Sequence, residues 1–179
     1  MTERARPAVY LQALQPMAET TGEHNSYGFR PQRRCAEAID QCVKGLRQKS
    51  SATWLLEGDI HGCFANIRLT WLEEHLPMHK GVWSRWLHRG VLDRGTRWPP
   101  TAGVPPGGIL APVVSNMVLD GRETVVHGGS WQRRVYHIND GRWADDFIVT
   151  ATSRQVLDDA VLPRINAFLA ARGVRLSPT

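Results

Sequence analysis

Residues 142–150 read Arg-Trp-Ala-Asp-Asp-Phe-Ile-Val-Thr, and this stretch determines the fold that the sequence predicts. Apolar residues flank two adjacent carboxylates, Asp145 and Asp146, within a run that otherwise reads as a strand. Neighbouring charges are costly inside a sheet, but at a tight bend both can reach a divalent cation. The turn signal Asn139-Asp140-Gly141 precedes the run, so the sequence predicts a hairpin with strands at 133–138 and 142–150.

A second short apolar run, residues 53–60, also ends in a carboxylate. Turn signals bound it, so it reads as a buried strand with Asp59 near its end. If Asp59 meets the Asp pair, three carboxylates can hold two Mg²⁺ ions about 3.5–4 Å apart, the spacing used for in-line phosphoryl transfer. An Asp-Asp pair alone is a weak signal, because the chain has another, Asp158-Asp159, which we interpret as solvated helix surface.

The remaining segments are mainly helical. Apolar spacing and capping residues predict helices over residues 7–19, 32–48, 68–76, 81–90, 109–119 and 153–171. Strands and helices alternate without a strict βαβ rhythm, which favours the α+β class. Cys35 and Cys42, seven residues apart in one predicted helix, are expected to share one face as small core residues.

The composition indicates a globular protein with a nucleic-acid partner. Of the 179 residues, 42% are hydrophobic, which is enough for a packed core. Basic side chains outnumber acidic ones by 22 to 17, and residues 1–50 carry 8 and 5 of them. This balance favours a polyanion, although a solvated basic surface explains the same charge. Since no apolar run reaches the roughly 18–20 residues of a membrane span, we expect a cytoplasmic protein without a membrane partner.

Five blocks of the sequence, taken in order, resemble those of bacterial group II intron reverse transcriptases. They are Ser26–Pro31 (SYGFRP), Glu57–Ile67 (EGDIHGCFANI), Thr101–Ile109 (TAGVPPGGI) followed by Ser115-Asn116-Met117, Trp143–Phe147 (WADDF) and Arg172–Thr179 (RGVRLSPT). The resemblance covers roughly residues 8–179, and the ordered series is far more specific than any one block.

The resemblance implies an RNA-directed DNA polymerase that uses two Mg²⁺ ions, an RNA template, a DNA primer and dNTPs, with an intron RNA as a further candidate partner. Its catalytic residues would be Asp59, Asp145 and Asp146, and these with Ile60 would hold the metal. The nucleotide would be contacted by Arg30, Ile60, Phe64, Pro106, Gly107 and Asn116. The alternative, purely structural roles are a surface salt bridge for Arg30, a core position for Phe64 and helix packing for Asn116.

The resemblance also implies a domain layout: partial helical fingers over residues 1–52 and a palm, an antiparallel sheet with packed helices, over 53–179. Residues 68–100 would return toward the fingers, and the thumb and maturase domains would be absent from a truncated copy. Three residues depart from the family pattern: Pro106 replaces Gln, Trp143 replaces Tyr, and Ala65 replaces Asp. Two alternatives remain open, a catalytically decayed RNA-binding remnant and an RNA-dependent RNA polymerase-like palm.

Overall fold

The computed structural model describes residues 2–47, 51–87, 91–93, 96–98, 102–104 and 108–178. Its helices are α1 (Thr2–Thr21), α2 (Cys35–Leu46), α3 (Cys63–Asn66), α4 (Leu69–His75), α5 (Lys80–Leu87), α6 (Ala111–Leu119), α7 (Arg122–His127), α8 (Ser130–Val135), α9 (Arg154–Val156) and α10 (Leu162–Arg172). A π-helical turn, Leu157–Val161, joins α9 to α10. The six predicted helices are therefore all present in the described part of the chain, with bounds that differ by a few residues. Position 48 of the predicted helix 32–48 and positions 88–90 of the predicted helix 81–90 lie outside the described residues.

Three strands form an antiparallel sheet in the order β1 (Trp54–Gly58), β6 (Asp146–Ala151), β5 (Asn139–Trp143). The register pairs Gly58 with Phe147 and Trp143 with Asp146, so the open end of β1 and the turn of the β5–β6 hairpin lie at the same end of the sheet. Two smaller antiparallel pairs complete the described strands: β2 (Ile60–His61) with β7 (Arg175–Leu176), and β3 (Val91–Asp93) with β4 (Thr96–Trp98). The predicted α+β class is confirmed.

The hydrophobic core lies between one face of this sheet and helices α6 and α10. Alternation along a strand places Phe147 and Val149 on that face, and both are buried. They join an apolar cluster that includes Val114, Val118, Leu119, Ile165 and Leu169, each of which is fully buried. The opposite face carries Glu57 and Asp146, which are exposed. The sheet therefore buries one face and leaves its carboxylates on the other.

The hairpin differs from the predicted one. Residues 133–138 are not a strand: α8 ends at Val135, and β5 begins only at Asn139. The predicted turn Asn139-Asp140-Gly141 is wrong, because these residues pair with β6 and the chain instead reverses at Ala144 and Asp145. The physical reason is Asp140, whose buried carboxylate is paired with the guanidinium of Arg122. That pairing lets a turn-forming residue occupy a core position of the strand.

The prediction for the two cysteines of α2 is also wrong. Cys35 is exposed and Cys42 is half-buried, and none of the residues of α2 is buried. The apolar stripe of this helix, with Ile39 59% and Val43 48% exposed, faces away from the core. In the described part of the chain, no helix has the length and apolar character that a membrane crossing requires.

Candidate active site

The Asp59 carboxylate lies where β1 leaves the sheet. The β1–β6 ladder ends with Gly58 opposite Phe147, so Asp59, which follows Gly58, and Asp146, which precedes Phe147, lie at the same end of the sheet. The backbone then continues into β2, and Asp59 is held there by Ser177: the Ser177 hydroxyl donates to Asp59 Oδ2 at 2.8 Å, and the Ser177 amide donates to the Asp59 carbonyl at 2.8 Å. Asp59 is exposed, so its other carboxylate oxygen faces solvent.

The predicted tight bend at the Asp pair is present. Ala144 and Asp145 form the two-residue turn of the β5–β6 hairpin, and Ala144 has a φ of 57°, in the left-handed region that L-residues rarely adopt. Asp145 occupies the turn itself and Asp146 begins β6. The bend therefore presents both carboxylates at the end of the sheet where Asp59 emerges.

Electrostatic coupling indicates that these acids are near one another. The pKa of Asp146 is raised above its ordinary value, first by partial burial and then by the negative charges of Asp145, Asp59 and Glu57. The pKa of the buried Cys63 thiol is raised mainly by burial, and the charges of Asp145 and Asp59 raise it further. The negative charges of Asp145 and Asp59 therefore raise the pKa values of both Asp146 and Cys63.

The acids do not form a closed metal cage. Among the described residues, no group of three or more His, Cys, Asp or Glu side chains is placed to hold a metal ion. Repulsion between like charges opposes a closer approach of these carboxylates. Their donor chemistry fits Mg²⁺, which takes oxygen ligands and usually keeps several waters beside one or two carboxylates.

Arg142 fastens the turn from the buried side. Its Nη1 donates to the Ala144 carbonyl at 2.9 Å and to Asn116 Oδ1 at 3.0 Å, and the side chain is only 1% exposed. The Asn116 amide in turn donates from Nδ2 to the Gly28 carbonyl at 2.9 Å. Asn116, predicted to contact the nucleotide, therefore uses both ends of its amide to join α6 to the turn and to the Gly28 loop.

The 25–28 segment packs directly against the hairpin. The Tyr27 amide donates to the Arg142 carbonyl and the Arg142 amide donates to the Asn25 carbonyl, both at 2.9 Å. Gly28 is needed because a Cβ at this position would lie 2.3 Å from the backbone nitrogen of Ala144. The first sequence block and the Asp-pair block are therefore neighbours in the fold.

Arg30 lies in a half-enclosed position that holds α1 to this same segment. It forms an ion pair with Glu19 at 2.9 Å and donates to the Ser26 carbonyl at 2.9 Å, and its side chain is 6% exposed. With Asn116 it lines a cavity of about 280 Å³ between α1 and α6. The structure thus brings together two predicted nucleotide-binding residues, both of which already have partners within the chain.

The other predicted site residues lie around the start of β2 and α3. Ile60 is 1% exposed and pairs with Leu176, so only its backbone could contribute a ligand. The half-buried Phe64 ring meets Phe29 edge-on, with the ring centroids 6.1 Å apart, and its carbonyl accepts from the Val104 amide at 2.7 Å. Pro106 and Gly107 lie outside the described residues.

A buried charge cluster beneath the site was missed by the sequence interpretation. Arg122 is fully buried, donates to Asp140 Oδ2 at 2.9 Å, and stacks over the Phe147 ring at 4.5 Å. Glu23 lies beside it and accepts from the Glu123 amide, and burial raises the pKa of Glu23 to about 7. The detectable signal was Asp140 and Arg142, two opposite charges at alternate positions, which predicts that they share one face of a strand.

Comparison with known proteins places this arrangement in a family. The family model described as "Reverse transcriptase (RNA-dependent DNA polymerase)" matches residues 2–179. The chain is 34% identical over 113 residues to the "Group II intron-encoded protein LtrA" of Lactococcus lactis subsp. cremoris, which covers 59% of this chain and 18% of that protein. It is 27% identical over 141 residues to "Protein YkfC" of Escherichia coli K12, which covers 71% and 35%. The chain thus spans between about a sixth and a third of the length of these curated relatives.

Solved structures show the same fold at low sequence identity. Telomerase of Candida tropicalis in complex with a fragment of telomeric RNA matches 93% of this chain and 32% of that one, with a TM-score of 0.64 and 14% identity. The apo telomerase of the same organism, truncated from its C-terminal domain, gives a TM-score of 0.59 at 13% identity. The resemblance inferred from the ordered motif blocks is confirmed: the chain belongs to the reverse transcriptase (RNA-dependent DNA polymerase) family, and its sequence relatives include group II intron-encoded proteins.

Proposed function

We propose that this chain carries the nucleotidyl-transfer centre of an RNA-directed DNA polymerase of the group II intron type, with Asp59, Asp145 and Asp146 as the catalytic carboxylates. The observation that supports the proposal is the register of the sheet, which pairs Gly58 with Phe147 and so brings the end of β1 and the β5–β6 turn to one end of the sheet. Reverse transcriptases generally use a divalent metal, Mg²⁺. Bound at these carboxylates, it would neutralise the charge that develops on the transferred phosphate.

The protein's own residues would position the reactants. Asp59 is fixed by Ser177, and Asp145 by a turn that Arg142 holds through the Ala144 carbonyl. These contacts keep the carboxylates in place before substrate binds, which lowers the entropy cost of assembling the reacting groups. A cation held by these carboxylates would offset the repulsion from Asp145, Asp59 and Glu57, which adds to the effect of burial in raising the pKa of Asp146.

The nucleotide pocket belongs to the same proposal. Phe64 is placed beside the exposed Phe29, where an aromatic ring can abut the sugar and reject a 2′-hydroxyl. Ile60, Pro106 and Gly107 would contribute backbone contacts, and Arg30 would have to exchange its Glu19 ion pair for the triphosphate. We also assign residues 1–52 to partial fingers and 53–179 to the palm, with 68–100 returning toward the fingers.

Primer extension on an RNA template tests the proposal. Asp145→Asn is expected to abolish dNTP incorporation in Mg²⁺, whereas Asp159→Asn, in the exposed second Asp pair, is expected to retain it. The chain is assayed both alone and joined to the remaining domains of a relative, because it spans only part of the relatives' length. Equal incorporation by the two variants would refute the assignment of the carboxylates. Preference for dNTPs over rNTPs that is lost in Phe64→Ala would support the role of Phe64.

A second candidate, an RNA-binding domain without incorporation, is favoured by two observations. Arg30 and Asn116 are both engaged in contacts within the chain, and the described acids do not form a metal cage. This candidate predicts salt-dependent RNA binding with no incorporation by the chain alone or by the fusion. Incorporation by either protein eliminates it.

A further inference from the structure

One cavity in the described part of the chain lies away from the candidate active site. It has a volume of about 790 Å³ and is lined, among others, by Lys44, His127, Ser130, Arg133, Arg134 and His137. We call this cavity the basal pocket. It lies where α2, α7 and α8 meet the first residue of β5, Asn139.

The permanently charged residues that line the basal pocket are all basic. Three of its lining residues, Lys44, Arg133 and Arg134, are permanently cationic and exposed, and no Asp or Glu lines it among the residues that the structure describes. Lys44 has an acidic neighbour in Asp40, one turn earlier on the exposed surface of α2, which offsets part of its charge. Arginine side chains with free donors suit phosphate, because the guanidinium presents paired N–H groups to its oxygens.

An unpaired buried atom points to a ligand as well. His127 is 8% exposed, lines the basal pocket, and has a buried Nε2 without a hydrogen-bond partner. A buried polar atom of this kind destabilises the fold unless something bonds to it. Burial and the charge of Arg133 both lower the pKa of His127, so the ring is neutral near pH 7 and offers one N–H donor.

The basal pocket and the candidate active site lie at opposite ends of strand β5. Asn139 lines the pocket. It lies on the same face of the sheet as Gly141, Trp143 and Asp146. At about 3.3 Å per residue, the pocket lies roughly 15–20 Å along β5 from the turn. A duplex that started at the turn and ran along β5, at about 3.4 Å per base pair, would reach the pocket after about five base pairs.

We propose that the basal pocket is a phosphate-binding site, built from Arg133, Arg134, Lys44 and the His127 Nε2, that holds a backbone phosphate of the nucleic acid some five base pairs from the catalytic turn. The choice of nucleic acid as the phosphate source rests on the proposed polymerase function. The phosphate chemistry itself rests on the pocket alone. A free phosphate or nucleotide offers the same chemistry, and the experiment separates the two sources.

The first arm measures affinity for an RNA–DNA heteroduplex by fluorescence anisotropy at several salt concentrations. The test variant is Arg133→Gln/Arg134→Gln, and the matched control is Arg85→Gln/Arg154→Gln, which removes the same charge from exposed helix positions outside the pocket. Two lost phosphate contacts are expected to weaken binding about tenfold near physiological salt and to lower the salt slope by about 1–2. The control is expected to change affinity less than about twofold, because surface charges away from the contact are screened. Circular dichroism verifies that both variants fold.

The second arm titrates inorganic phosphate into the wild-type protein and follows the histidine ring resonances by NMR. His127 is expected to shift, whereas His75, which stacks on Trp71 on the surface of α4, is expected not to. No shift of His127 overturns phosphate recognition. A shift together with equal heteroduplex affinities for the two double variants overturns the nucleic-acid assignment and identifies a free phosphate as the ligand.

The two proposals fail in distinguishable ways. Asp145→Asn is expected to keep heteroduplex binding at the basal pocket while it loses incorporation. If the wild-type protein incorporates no dNTP, the heteroduplex affinities and the phosphate titration still test binding at the basal pocket. Loss of heteroduplex binding in Asp145→Asn to the same extent as in Arg133→Gln/Arg134→Gln would overturn the independence of the basal pocket from the catalytic turn.

Discussion

The guanidinium of Arg142 donates a hydrogen bond of 2.9 Å to the carbonyl oxygen of Ala144, two residues further along the same hairpin. Ala144 adopts the left-handed conformation that presents Asp145, so the bond stabilises an unfavourable backbone geometry at the point where the carboxylates leave the sheet. Arg142 also faces Asp120 at 3.6 Å and donates to Asn116, which ties α6 to the turn. The candidate active site therefore depends on a buried cation, Arg142, that is not one of the proposed metal ligands.

Replacing Arg142 by a neutral residue should destabilise the protein. We expect Arg142→Met to lower the free energy of unfolding by about 3–5 kcal/mol, because Asp120 loses its buried counter-ion and the Asn116 and Ala144 oxygens lose a donor. Urea unfolding measures the change. Arg154→Met, at an exposed position, serves as the control and should change the free energy of unfolding by less than about 0.5 kcal/mol. Similar values for the two variants would contradict the structural role of Arg142.

The Arg122–Asp140 pair should behave as a coupled unit. Asp140→Leu leaves a fully buried guanidinium unpaired, so we expect it to cost about 3–5 kcal/mol. The double variant Arg122→Met/Asp140→Leu removes both charges and should recover most of that loss. A double-mutant cycle in urea measures the coupling. If the two single changes add to the double change within about 0.5 kcal/mol, the pair is not coupled.

Alanine substitutions at two glycines are expected to change the free energy of unfolding in opposite directions. Gly28→Ala should destabilise the protein by about 1–3 kcal/mol, since the new methyl group meets the Ala144 backbone at 2.3 Å and backbone atoms cannot move aside cheaply. Gly45→Ala should stabilise it by about 0.5–1 kcal/mol, because α2 gains helix propensity and nothing lies within 4 Å of the added carbon. Thermal and urea unfolding report both changes. A neutral Gly28→Ala would mean that the loop and the turn can separate.

Glu23 should make stability depend on pH. Its pKa is raised by burial from 4.5 to about 7, an effect that the nearby Arg122 and Arg142 only partly oppose. Between these values the folded chain binds the proton more tightly than the unfolded chain, so this contribution to stability is present at low pH and is lost as the pH rises toward 7. Glu23→Gln keeps an acceptor for the Glu123 amide and removes the titration.

We therefore expect Glu23→Gln to match the wild-type protein near pH 4.5 and to exceed it above pH 7 by an amount on the order of 1–3 kcal/mol. Burial also raises the pKa values of Asp120 and Asp140, but both groups are present in the two proteins, so the comparison isolates Glu23. Urea unfolding across this pH range measures the difference. Glu74→Gln, an exposed glutamate on α4, is the control and should show no such trend. A constant difference between Glu23→Gln and wild type at all pH values would contradict the raised pKa.

The sequence alone determined the class, the helices and the family. Apolar periodicity marks the helices, because a helix buries one stripe of side chains whatever its neighbours are. The ordered blocks around Arg30, Asp59 and Asp145 identified a reverse transcriptase before any contact was known. The bend at the Asp pair was also predictable, since two adjacent carboxylates do not fit inside a buried strand.

Tertiary structure alone decided the register of the hairpin and the roles of its charged residues. Asn139-Asp140-Gly141 carries a strong local turn signal, yet it lies in β5 because Arg122, distant in the sequence from that turn, pairs with Asp140 in the core. Likewise α2 has the apolar pattern of a core helix, and its stripe is exposed because the described chain places no packing partner over it. Local sequence encodes propensity and periodicity, whereas the partner that satisfies a buried charge or covers an apolar face is chosen by contacts between distant residues.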